Sequence, residues 1–117
     1  MARWAVVGLA AIALLSGCRS PYVNATVRNE TGARVTLVEV DYPSASFGRE
    51  TLATGATFNY RFKILGSGAV KASWTDFQRG QRSATGPELH EGQQGDLVIT
   101  LMPLGRAQWD ARLTPEH

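Results

Sequence analysis

"ATFNYRFKI", residues 56–64, decides the fold. Phe58, Tyr60, Phe62 and Ile64 alternate with Asn59, Arg61 and Lys63, so one side of the segment is apolar and the other is wet. That period of two is the pattern of a β-strand with one buried face. Thr54-Gly55 ahead of it and Gly66-Ser67-Gly68 behind it are turn formers that bound the strand.

The same pattern extends in both directions. Toward the N-terminus, "YVNATVRN" (22–29) alternates Val23, Ala25 and Val27 against Asn24, Thr26 and Arg28, and "ETGA" (30–33) makes a turn. "RVTLVEVDY" (34–42) starts with Val35 and Leu37 on one face, then changes phase to Val38, Val40 and Tyr42. A β-bulge near Leu37-Val38 would account for the phase change, and Pro43 ends the strand. A short segment around "SFGRETLA" (46–53) offers Phe47 and Leu52 to the core. Toward the C-terminus, "AVKASWTDF" (69–77) places Val70, Ala72 and Trp74 on one face, and "RSATGPEL" (82–89) is a weaker strand. "DLVITLM" (96–102) is followed by the turn "PLGR", and "AQWDARL" (107–113) keeps Ala107, Trp109, Ala111 and Leu113 in phase. The expected fold is all-β: a single antiparallel β-sandwich of seven or eight short strands from Tyr22 to Leu113. A partly closed barrel is the alternative. "LATGATFNYRF" (52–62) resembles a turn-and-strand element of bacterial immunoglobulin-like modules, which implies a fold and no function.

With 117 residues, 44% hydrophobic and 19% charged, the chain has room for one packed domain. Its formal charge is only +2, and its arginines are scattered singly with Lys63 and Lys71 as the only lysines. A nucleic-acid binder clusters such residues on one face, so nucleic acid is not an expected partner.

The N-terminus reads differently from everything after it. Met1-Ala2-Arg3 is short and positive, and "WAVVGLAAIALL" (4–15) is an uninterrupted apolar run. About 20 apolar residues are needed to cross a bilayer, so this run has the length of a signal-peptide core instead. It ends in Leu15-Ser16-Gly17-Cys18, which holds the only cysteine in the chain. These four residues resemble the lipobox of bacterial lipoproteins. The resemblance implies a helical signal peptide over 1–17, cleavage before Cys18, and a diacylglyceryl group, palmitate among its chains, on the Cys18 sulfur. Two acyl chains hold a protein at a bilayer where one does so only marginally. Residues 18–21 would then be a short lipidated connector and 114–117 a C-terminal tail. Arg19 stands where an aspartate would favour inner-membrane retention, so the expected location is the cell envelope. The outer membrane, facing the periplasm, is favoured if the organism has one.

Candidate chemistry is sparse. His90 and the terminal His117 are the only histidines, and no serine sits in a Gly-x-Ser-x-Gly context. Asp41, Asp76 and Asp110 read as solvated strand or turn residues. "PELHEG" (87–92) brings Glu88, His90 and Glu91 together, with Glu88 and His90 on one side of an extended segment. They are weak candidates for two or three metal ligands where a zinc site takes three or four, so a solvated loop is the plainer reading. No cofactor and no catalytic residue is expected. Two glycosylation sequons, Asn24-Ala25-Thr26 and Asn29-Glu30-Thr31, read as chance matches in a bacterial chain. Trp74 and Trp109 read as core residues, with a surface platform as the alternative; Tyr42, Phe47 and Phe77 fall near strand ends where part of such a patch could form. The expected function is a non-enzymatic envelope module that binds another protein or the cell wall. The alternative is a metal- or small-ligand-binding accessory built on the Glu88/His90/Glu91 loop.

Overall fold

A computed structural model describes residues 22–114. The expected signal helix, the lipobox from Leu15 to Cys18, the connector and all but the first residue of the tail, Thr114, lie outside those residues. Within them the chain forms eight strands: β1 (Tyr22–Asn29), β2 (Val35–Tyr42), β3 (Ala45–Leu52), β4 (Thr57–Lys63), β5 (Gly68–Thr75), β6 (Gln81–Leu89), β7 (Gly95–Met102) and β8 (Arg106–Leu113). They make two four-stranded sheets, in the orders β4-β1-β7-β8 and β3-β2-β5-β6. The fold is the expected all-β sandwich.

Period two explains the core. Val23, Ala25 and Val27 of β1 and Leu97, Ile99 and Leu101 of β7 face Val35, Val38 and Val40 of β2 and Val70, Ala72 and Trp74 of β5. These strands are central in their sheets, and none of these side chains is more than 2% exposed. Each fully buried Val, Leu, Ile or Phe contributes about 1.5–3 kcal/mol. A chain with one cysteine has no disulfide to substitute for that burial.

Strand order adds what alternation does not contain. All pairings are antiparallel except β1 with β7, which run parallel with Ala25 opposite Leu97 and Val27 opposite Ile99. Parallel neighbours need a long connection, and here every other strand but β8 lies between them in sequence. Antibody domains place their first two strands in one sheet. Here β1 and β2 lie in opposite sheets, so the immunoglobulin-like likeness holds for the architecture and not for the strand order.

The bulge in β2 falls where the phase change put it: its pairing with β5 slips between Thr36 and Glu39. Leu37, expected beside Val35 on the buried face, is instead 64% exposed with φ of 51°. The bulged residue turns out of the core so that Val38 can turn in. Tyr60, expected inside with Phe58 and Phe62, is 44% exposed because β4 is an edge strand. Its ring lies on Phe47 at 4.5 Å between centroids. Ala111, on the other edge strand of that sheet, is exposed as well. In β6, Gly86 and Pro87 sit in a second register shift, an edge position where a residue without an N–H is tolerated.

Candidate functional site

The loops divide between two ends. One end holds Tyr22, where the described chain begins, with loops 43–44, 64–67 and 90–94 and Thr114. These are tied together by the Gly92 N–H donating to the Ile64 carbonyl (3.4 Å), the Gly66 N–H to the Glu91 carboxylate (2.8 Å) and the Gln94 N–H to the Thr114 hydroxyl (3.2 Å). The opposite end holds loops 30–34, 53–56, 76–80 and 103–105. Strands of eight residues at about 3.3 Å per residue set the two ends roughly 25 Å apart.

The far end is ordered by two polar residues. Asn29 is fully buried; its amide donates to the Ala33 carbonyl (2.8 Å) and the Leu52 carbonyl (3.0 Å). Its Oδ1 accepts from the Thr31 N–H (3.0 Å) and the Thr31 hydroxyl (2.7 Å). One side chain thus joins the β1–β2 loop to the end of β3, and the asparagine of its sequon is buried. Asp76 shapes the β5–β6 loop: its Oδ1 accepts from the Gly80 N–H (2.7 Å) and the Gln78 N–H (3.0 Å), and its Oδ2 from Arg82 Nε (2.9 Å). The Gly80 hydrogen bond first, then Arg82, hold the Asp76 carboxyl below its ordinary value.

On this frame the two neighbouring loops carry apolar tips. Phe77 is 74% exposed and Leu104 is 78% exposed. Both line a hollow of about 220 Å³ whose walls also include Trp74, Met102, Pro103 and Ala33. Leu104 has φ of 66°, a conformation that costs a residue with a β-carbon about 1–2 kcal/mol. It is both strained and exposed, and it contributes nothing to the core. Strain of that kind is characteristic of positions kept for function.

A larger concavity, about 950 Å³, crosses the outer face of the β3-β2-β5-β6 sheet. Its residues include Glu39, Asp41, Gly48, Lys71, Ser73 and Ser83, the solvent-facing positions of that sheet. It is an open sheet face of mixed polarity, lined by Leu37 and Phe47 as well as by these polar residues, and the loop end is the better-defined site.

The sequence candidates fall elsewhere. Glu88 is exposed at the end of β6, and the His90 N–H donates to Gln93 Oε1 at 2.9 Å. The Glu91 carboxylate is held by the Gly66 N–H. Among the described residues no three His, Cys, Asp or Glu side chains, Glu88, His90 and Glu91 included, are grouped to hold a metal. Alternation places Leu89 in the core between Glu88 and His90, and Glu91 turns to pin the neighbouring loop. Trp74 is core, 2% exposed, and Trp109 is half-buried against the core edge. Tyr42 and Phe47 join an aromatic cluster with Phe62, Tyr42 stacking on Phe62 at 4.1 Å, and are not part of a patch with Phe77. Burial, then the nearby Tyr60 phenol, push the Tyr42 hydroxyl above its ordinary value. Leu104 was legible only as part of a turn.

The fold and the loop end thus define a small β-sandwich with an apolar platform at one end. No protein-family model and no curated protein sequence matches the chain. In structure it is similar to a protein from Eubacterium rectale solved by NMR, with a TM-score of 0.57 and 12% identity, covering 78% of this chain and 88% of that one. At that identity the likeness concerns the fold alone.

Proposed function

We propose that the protein is a bacterial lipoprotein, held in the cell envelope by acyl chains on Cys18, whose sandwich is a non-enzymatic module that binds another macromolecule. The observation that carries this reading is the placement of Phe77 and Leu104 at the end opposite Tyr22. Tyr22 opens β1 four positions after Cys18 (22 − 18), a span of at most about 14 Å. An anchor there holds the near end at the bilayer and points the apolar tips away from it. Contiguous exposed apolar surface on a small domain marks an interaction site, and Phe77 and Leu104 line one hollow together. Asp76 and Asn29 serve this end by shaping its loops.

Two measurements test it. The protein isolated from its envelope is expected to carry the added mass of a diacylglyceryl group, and Cys18→Ala to remove it; an unmodified polypeptide mass would end the lipoprotein reading. A photoreactive residue at position 78, beside the tips, is expected to capture a partner in intact cells, and the same residue at position 88, at the near end, is not. Equal capture at both positions, or none at 78, would overturn the binding module.

A further inference from the structure

From the shape and charge of the far end, we infer that its partner is an acidic protein segment that inserts one large apolar side chain into the hollow lined by Phe77 and Leu104. This inference deepens the binding-module reading and rests on it.

The hollow sets the size of the anchor. A cavity of about 150 Å³ with apolar walls accepts a benzene. The hollow here is open to solvent and has Thr31, Gln78 and the paired Asp76 and Arg82 beside its apolar lining, and its 220 Å³ give room for a single Leu, Met or Phe side chain. Trp74 and Met102 are part of its wall, and Phe77 and Leu104 are exposed lining residues that an incoming side chain would cover. A partly preformed hollow of this kind is the usual seat of the residue that dominates a protein interface.

The rim sets the charge. Arg34, Arg79 and Arg106 are exposed, and each is the chain neighbour of a residue lining the hollow: Ala33, Gln78 and Gly105 respectively. None of the three is in an ion pair among the described residues. Arg82 and Asp76 neutralise each other at 2.9 Å, which leaves Glu30 as the remaining acid in these loops. Three arginines against one glutamate give this end a surplus of two positive charges. A carboxylate beside the apolar anchor gains from that field, and a basic segment is repelled. An anionic bilayer would also answer to exposed apolar tips and arginines. With the chain entering at the other end, however, these tips face away from the membrane that would hold Cys18. A protein segment is therefore the occupant.

The test uses the full chain as cells process it, fixed through its C-terminus, and a displayed library of random heptapeptides. The expected enrichment is for one large apolar residue with Asp or Glu close to it. Phe77→Ala with Leu104→Ala, both at exposed tips, is expected to weaken the enriched peptides by about tenfold or more, the equivalent of about 1.4 kcal/mol. Arg79→Glu with Arg106→Glu is expected to turn the preference from acidic to basic peptides, an outcome that misfolding cannot imitate. Enrichment without acidic residues, or enrichment unchanged by either pair of substitutions, overturns the inference. So does tip-dependent binding to phosphatidylglycerol vesicles with no peptide enriched. If position 78 captures a protein in cells while the library shows no acidic preference, the partner chemistry fails and the binding module stands. No capture at 78 removes both.

Discussion

Trp109 lies directly over Gly86: a β-carbon placed on Gly86 would come within 2.5 Å of the indole ring. The two residues belong to β8 and β6, the edge strands of opposite sheets. The indole closes that open side of the sandwich, and only a glycine beneath it leaves room. At the other open side the aromatic cluster around Phe47 and Tyr60 does the same work.

Gly86→Ala should therefore cost about 1–3 kcal/mol, the usual penalty of overpacking. Trp109→Ala removes the obstacle, so the double variant should be more stable than the sum of the two single losses predicts. Urea unfolding of the four proteins measures the difference. Simple additivity would mean that the ring is not seated on Gly86 in solution.

Asn29→Ala should cost about 1–3 kcal/mol, because it removes the side-chain hydrogen bonds to the Leu52 carbonyl and the Thr31 N–H and leaves the Ala33 carbonyl with the Thr31 hydroxyl alone. Asn29→Asp is the sharper probe. Its carboxylate would be buried facing two carbonyl oxygens, which raises its folded pKa above the unfolded value near 3.9. The variant's stability should hold below that value and fall as pH rises through the folded pKa. Denaturation from pH 4 to pH 7 should show a growing deficit against the parent, and a deficit flat with pH would exclude a buried carboxylate.

Asp76 should show the opposite dependence. Its folded pKa is lowered, so its contribution is present above the ordinary carboxylate value and is lost as pH falls toward the folded one. The stability gap between the parent and Asp76→Asn should be largest near neutrality and close on acidification. A gap that persists in acid would assign the effect to packing of the β5–β6 loop.

Leu104→Gly separates stability from binding. The glycine accepts φ of 66° without strain and gives up little buried surface, so the fold should gain about 1 kcal/mol. Capture from position 78 should decline in the same variant. A protein that is stabilised and still captures its partner fully would show that Leu104 takes no part in docking.

Much of the sandwich is legible in the sequence. Alternation in residues 56–64 located β4, and the phase change in residues 35–40 located the bulge. Trp74 was placed in the core by its spacing from Val70 and Ala72. Edge effects were less legible. Tyr60 and Ala111 keep the apolar phase yet are exposed, because a one-dimensional pattern does not say which strand lies at a rim.

By itself the sequence determined the period of each strand and the turns between them, and with them the layered all-β class, because each depends on residues a few positions apart. Tertiary structure alone decided which strands share a sheet, the parallel pairing of β1 with β7, the seat of Trp109 on Gly86 and the burial of Asn29. It also brought Phe77 and Leu104, 27 positions apart (104 − 77), to the lining of one hollow. Those relations join segments distant in the chain, and burial against a partner strand, not local periodicity, selects them.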